Sequence, residues 1–351
     1  MKTAYLFHRP SSLARRCLIT LLLCIFASST LFAQSKVGTT AAPFLTIAVG
    51  ARALGMGGAF TATANDATAL YWNPAGIAGI EHFTANFVHT EWLVDLNFDA
   101  VGAVLPLENA GALGAQLIFL TMPDQEITTN EQREQDGTGL FYSSGSMALS
   151  LSFARQFTDR FKLGVTGKYI REWIWHESAA TGAVDIGSIY TTSFEDVRIG
   201  VSITNFGGRM QMTGRDLTRF YDVDQTREGN NTSVLAGLQT DKWPLPLTMR
   251  FGLAGELIKT DPYRVTLAAD AVHPNDNRES VNIGAEGAYK EMFLLRAGYK
   301  SLFLPDSEEG LTGGIGIRVG TRGGLTAGFD FAYEEFGRFD AIYKYSLNIW
   351  Y

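Results

Sequence analysis

The sequence has 351 residues, 46% hydrophobic, 19% charged and 12% aromatic, with 37 glycines, a formal net charge of −7 and a mean hydropathy of +0.02. Near-neutral hydropathy excludes a polytopic helical membrane protein, which needs repeated apolar runs of about 20 residues, and the aromatic content excludes a disordered chain. Two classes remain: a large soluble domain, or a β-barrel whose apolar residues alternate with polar ones.

The chain opens with Lys2, Arg9, Arg15 and Arg16, then an apolar run over 17–27, small residues Ser28, Ser29 and Thr30, and Leu31-Phe32-Ala33. This order predicts a cleaved secretory signal over 1–33, with Ala33 as its last residue. The apolar run is short for a transmembrane anchor, and Leu23 before Cys24 does not suit a lipoprotein signal. Cleavage would remove both cysteines, Cys17 and Cys24, so that no disulfide or thiol chemistry is expected. It would also remove four basic and no acidic residues, taking the charge from −7 to −11. An acidic exported chain is not expected to bind nucleic acid.

Residues 34–82 do not alternate. Gly50-Ala51-Arg52-Ala53-Leu54-Gly55-Met56-Gly57-Gly58 leads through Asn65-Asp66 to Tyr71-Trp72-Asn73-Pro74-Ala75-Gly76. Asp66 is placed to cap a short helix through Trp72, with Pro74 ending it. The glycines lack the Lys-Ser/Thr and the G-x-G-x-x-G spacing of a phosphate-binding loop. A compact plug, in which small residues let backbone pack closely inside a barrel, accounts for them better.

From residue 83 the period is two. In 324–334, Leu325, Ala327, Phe329, Phe331 and Tyr333 share one face, and Thr326, Gly328, Asp330, Ala332 and Glu334 the other. The same sorting puts Arg250, Glu256, Arg264, Asp270, Glu286, Arg296, Arg318 and Asp330 on the polar faces, where opposite charges are expected to pair across strands. A soluble sandwich also alternates. The length of the repeats, about 9 to 13 residues, and aromatics near strand ends (Trp173, Trp175, Tyr289, Tyr299) favour a transmembrane barrel with lipid outside. The last strand puts Tyr343, Tyr345, Leu347, Ile349 and Tyr351 on one face, the pattern of a barrel-insertion signal. Arg171 falls on the lipid face of Tyr169, Trp173 and Trp175, so it snorkels to headgroup level, marks a register shift or bulge, or shows a different outward/inward phase in that strand.

Fifteen segments alternate: 83–93, 98–106, 112–121, 143–156, 162–175, 183–192, 197–206, 233–240, 247–257, 263–272, 280–289, 292–300, 311–319, 324–334 and 341–351. Single-chain bacterial barrels have even strand numbers. Counting short periplasmic turns (Thr260-Asp261, Lys290-Glu291, Thr321-Arg322) against long extracellular loops places the conflict at 233–246. That segment is therefore assigned to one long extracellular excursion. The expected fold is all-β: a fourteen-stranded antiparallel transmembrane barrel over 83–351, with a helical, glycine-rich hatch (34–82) in its lumen.

The runs at 50–60, 65–69 and 71–76, with His273-Pro274-Asn275-Asp276-Asn277 and Leu295-Arg296-Ala297-Gly298-Tyr299-Lys300, resemble the PorV/PorQ family of outer-membrane proteins. That family is similar to the FadL-type fatty-acid channels, whose hatch carries an Asn-Pro-Ala motif matched by Asn73-Pro74-Ala75. The resemblance implies a structural or gating role for Gly55, Met56, Gly57, Gly58, Asn65, Asp66, Asn73, Pro74 and Ala75. It implies a non-catalytic cargo-binding and shuttle component of type IX secretion, in contact with outer-membrane lipid and lipopolysaccharide, secreted cargo C-terminal domains and translocon components. The alternative is a FadL-like conduit for hydrophobic small molecules. Cargo capture needs exposed loops, and Arg209, Arg215, Arg219, Tyr221 and Trp243 on the polar loops are the candidate contacts. The mixed charges facing the lumen argue against a lipid conduit. No catalytic residue, metal or cofactor is expected, because His82, His89, His176 and His273 lack metal-ligand spacing and no G-x-S-x-G occurs. The acidic runs 222–224 and 306–309 are weak candidates for calcium.

Overall fold

The computed structural model describes residues 37–351 apart from 129–137, 195–196, 225, 227–228, 230–232 and 321–323. Fourteen antiparallel strands form one closed barrel. They are β1 (Thr84–Trp92), β2 (Leu96–Pro106), β3 (Ala112–Thr121), β4 (Ser144–Thr158), β5 (Phe161–Ile174), β6 (Glu177–Thr191) and β7 (Arg198–Gly207) in the first half. The second half holds β8 (Thr248–Thr260), β9 (Tyr263–Pro274), β10 (Ser280–Tyr289), β11 (Phe293–Leu302), β12 (Leu311–Gly320), β13 (Thr326–Glu335) and β14 (Ala341–Trp350). Each pairs with its sequence neighbours, and β14 closes on β1 from Thr84↔Trp350 to Glu91↔Tyr343. Closure matters physically because, in lipid, no edge strand can be left without partners.

The segment 233–240 is the one that does not span. Its Val234–Gly237 pairs only with Thr218–Tyr221, as a hairpin inside the long connection between β7 and β8. Fourteen strands therefore stand, as parity requires. β6 starts six residues earlier than alternation predicts, at Glu177 rather than 183. The reason is that 177–182 offers only small or polar side chains, so the backbone keeps pairing with β5 (Ser178↔Trp173) where no apolar rhythm shows. The predicted turn Thr321-Arg322 lies outside the described residues.

Period-two sorting holds in three dimensions. On β8, Met249, Phe251 and Leu253 point out and Thr248, Arg250 and Gly252 point in; on β12, Ile315, Ile317 and Val319 point out and Thr312 and Gly314 point in. The outer wall exposes Leu295 at 67%, Ile315 at 56%, Phe329 at 47% and Leu347 at 44%. A continuous apolar surface of that extent needs a hydrocarbon solvent. Among the described residues no helix is long and apolar enough to cross a membrane, so crossing falls to the strands. Tyr343, Tyr345, Leu347, Ile349 and Tyr351 all lie on the outer surface. Arg171 also points outward, close to the end of β5, and its pairings with Met147 and Ala180 run without a register shift. No bulge accounts for it, which leaves snorkelling to headgroup level as its expected behaviour.

The lumen is filled by residues 42–79, almost all buried. They form a 3₁₀ turn (Pro43–Thr46), α1 (Ala51–Gly55), α2 (Ala69–Trp72) and a second 3₁₀ turn (Pro74–Gly79). Phe44, Leu54, Met56, Phe60, Leu70 and Ile77 are fully buried, each worth about 1.5–3 kcal/mol of transfer free energy. Trp72 meets Phe60 and Tyr71 edge to face, with centroids 6.1 and 5.1 Å away. The two halves of the barrel treat this hatch differently. The second 3₁₀ turn packs on β3–β6, where Leu70 and Ile77 face Gly114, whereas α1 packs on β11–β14, where the wall is charged. The scarcity of inward charges in the first half is thus the imprint of an apolar hatch surface.

Candidate functional site

Two features stand out as built for function: the contacts that lock the hatch in the lumen, and the platform formed by the long loops. The lock centres on Glu286. Its carboxylate accepts from Arg52 Nε (2.8 Å) and Nη2 (3.0 Å), from Arg296 Nε (2.8 Å) and from Arg264 Nη2 (3.1 Å). Arg52 reaches on to Asn65 and Asp66, and Arg296 to Asp330 at 2.6 Å. Alternation in the sequence correctly placed the wall charges inside, but pairing across strands is only half of the account. Much of the charge is directed at the hatch. Asp270 Oδ2 accepts the backbone N–H groups of Phe60 (3.0 Å) and Thr61 (2.9 Å), and Glu172 that of Ala42 (3.1 Å). Lys344 Nζ donates to the Ala48 carbonyl and Thr312 Oγ1 to that of Gly55. Arg250 lies over the Trp72 ring instead of against a carboxylate.

The hatch motif residues are brought together, and all but Asn65 are buried. Asp66 is not the N-cap of α2; that position is Thr68. Its Oδ1 accepts from Thr68 N at 2.9 Å, fixing the turn ahead of the helix, while Oδ2 receives Arg52. The helix needs no side-chain cap because its first turn is held by this bend and by wall packing. Asn73 ties the hatch to itself and to the wall: Nδ2 donates to the carbonyls of Thr61 (2.9 Å) and Ser188 (3.1 Å), and Oδ1 accepts from Ala75 N (3.2 Å). Pro74 then starts the next turn with no N–H to leave unpaired. Asn73→Ala strips three bonds from a buried site. The expected cost is about 2–3 kcal/mol in chemical denaturation of the micelle-bound protein; a change below about 0.5 kcal/mol would contradict this role.

At the long-loop end, described parts of the connection between β7 and β8 pack against the start of the hatch. Met210 is buried and pairs with Trp243, and Pro244 accepts the N–H of Ala41 at 2.9 Å. The five candidate loop residues are exposed but do not form one patch. Arg215 is occupied by His176 and Asp216; Arg209 and Trp243 flank the Met210 pairing; Arg219 and Tyr221 share the hairpin. That hairpin carries the residues sequence reasoning missed. Phe220 and Leu235 stand opposite each other at 76% and 66% exposure, with Tyr221, Val223 and Leu238 nearby in the chain and also exposed. The signal was the alternation at 233–240, whose partner strand of four residues is too short to notice alone.

Several carboxylates near the barrel ends are engaged in ion pairs. Asp99 meets His89 at 2.8 Å and Glu334 meets Lys300 at 3.0 Å. In the run 306–309, Glu308 holds Arg338 and Glu309 holds Lys300 and Ser301, which leaves little for a cation. Among the described residues no group of three or more His, Cys, Asp or Glu could hold a metal ion.

The family model described as type IX secretion system protein PorV matches residues 31–217. No curated protein matches the sequence. Among solved structures, the barrel is similar to the Ralstonia pickettii toluene transporter TbuX, with a TM-score of 0.52, 13% identity, and coverage of 87% of this chain and 97% of that one. It is similar also to the Pseudomonas putida toluene transporter TodX, with a TM-score of 0.50, 12% identity, and coverage of 86% and 96%. At that identity the likeness concerns the fold.

Proposed function

Since the chain belongs to the family of type IX secretion system protein PorV, we propose that this outer-membrane barrel works without catalysis, receiving secreted proteins and passing them on at the cell surface. Export by a signal cleaved after Ala33, and insertion guided by the outward aromatic face of β14, belong to the same reading. Barrels of this kind place short turns in the periplasm and long loops outside, which puts the 208–247 platform at the surface.

The observation that carries the proposal is the hairpin 218–221/234–237. Water-exposed apolar side chains paired on a two-stranded ribbon, free of other strand partners among the described residues, suit capture of a partner's apolar surface or its strand edge. Cargo C-terminal domains and translocon subunits are the partners this implies. Phe220→Asp with Leu235→Asp is expected to abolish co-purification of secreted proteins sharing a C-terminal domain from solubilised outer membrane, while the barrel stays folded. Unchanged capture by the double variant would refute the assignment to this hairpin.

The second reading is a conduit for hydrophobic small molecules, favoured by the fold shared with the toluene transporters. The charged wall of β8–β13 and a hatch tied to it by ion pairs speak against an apolar path. A deletion strain that secretes normally but loses uptake of a hydrophobic substrate would reverse the order of the two.

A further inference from the structure

At the short-turn end, below the hatch residues 62–66, the lumen holds a cavity of about 560 Å³. Among the described residues its lining includes Lys162, Arg198, Arg264 and Arg318 beside Glu256 and Glu291, with Glu286 just behind the wall. Unpaired buried charge is expensive, so the question is which cations already have partners. Arg198 spends Nη2 on Glu256 at 2.8 Å, and Arg264 spends its fork on Glu291 and Glu286. Two cations are held less firmly, Lys162 without such a partner and Arg318 by one long ion pair to Glu291. Lys162 has no hydrogen bond or ion pair among the described residues, and its Nζ occupies the space a side chain on Gly79 would need. Arg318 comes no nearer to a carboxylate than 3.7 Å, has its Nε buried without a partner, and is held by the Trp350 ring 5.5 Å beneath it. The Nε of Arg198 is likewise unpartnered.

We infer that this vestibule binds the oxyanion group of a small solute, a phosphate or a carboxylate, that enters from the short-turn side. Guanidinium N–H groups and an ammonium are the donors such groups take, and the volume falls in the usual range for small-molecule sites of about 300–1,000 Å³. Nothing in cargo capture at the opposite end of the barrel calls for these free donors.

The test is calorimetric titration of the full chain in detergent, at low and matched ionic strength, with sodium phosphate in one arm and sodium succinate in the other. Saturable one-site uptake of at least one probe is expected, and the stronger arm identifies the group. Lys162→Gln removes no hydrogen bond or ion pair among the described residues; it is expected to weaken uptake by about tenfold, as is Arg318→Gln, while the heating needed to unfold the barrel stays unchanged for Lys162→Gln. Absence of saturable uptake in both arms, or uptake that Lys162→Gln leaves unchanged, overturns the assignment.

Discussion

Replacing Glu286 by alanine is expected to loosen the hatch and to cost the barrel about 3–5 kcal/mol. The side chain is almost wholly shielded, and so are those of Arg52 and Arg296, which it holds. Around it, three carboxylates (Glu286, Asp66, Asp330) and three guanidinium groups (Arg52, Arg264, Arg296) form one connected set. Removing the central anion leaves Arg52 and Arg296 with a net excess of charge in a space with little water, and Arg296 Nη2 already lacks a partner. The cost of the substitution is therefore mostly the penalty of stranded cations, more than the worth of the pairs themselves. Two comparisons separate these. Glu286→Gln keeps the volume and one acceptor, so it should lie between wild type and alanine. Arg264→Gln acts on the solvent side, where its main partner Glu291 is half exposed, and should cost less than about 1 kcal/mol. The measurements are the heating needed to unfold the barrel on semi-native gels and cleavage of 42–79 by protease from the short-turn side. Alanine and wild-type proteins that unfold alike, with the hatch equally protected, would show that Glu286 is not the lock. If the hatch is displaced, reconstituted E286A should also conduct ions where wild type conducts few.

The sequence made the wall legible and the lock nearly invisible, for a physical reason. A wall facing lipid on one side must place a large apolar residue at every second position, so β8–β14 announce themselves through residues such as Phe251, Leu267, Ile283 and Phe329. Where the outward residues are small, as at Ala180 and Gly182 on β6, the rhythm stops although the backbone ladder continues. The hatch follows no period, because its contacts answer to a surface assembled from eight or more strands. Arg52 and Glu286 are 234 residues apart, and neither position carries a local sign of the other. Inward charge was readable as inward; its destination was not. Asp270 shows this most clearly: it looks like half of a cross-strand ion pair, yet its oxygen is used on two hatch N–H groups.

The same division between readable wall and hidden contact predicts opposite outcomes for one substitution at two glycines of β10. Gly284 points into the lumen, and a Cβ there would lie 2.2 Å from the Met56 carbonyl oxygen and 2.7 Å from its carbon. Gly57, next in the hatch, is at φ 64° and just as tightly placed, against the backbone of Ile283 and Tyr299. Backbone here meets backbone, so no side chain can swing aside to make room. Gly287 lies three residues on, pointing outward, and a Cβ there meets nothing closer than 3.9 Å. Gly284→Ala is expected to lift the hatch from the wall and destabilise the protein by about 3 kcal/mol or more, at the upper end of the overpacking range. Gly287→Ala should be neutral or stabilising by a few tenths to about 1 kcal/mol, since a strand glycine carries excess backbone entropy in the unfolded chain. Both variants change strand propensity identically, so the difference between them isolates the hatch contact. Protease protection of 42–79 should be lost in G284A and kept in G287A. Equal behaviour of the two would mean that the hatch does not rest against β10 tightly enough to exclude a Cβ at Gly284.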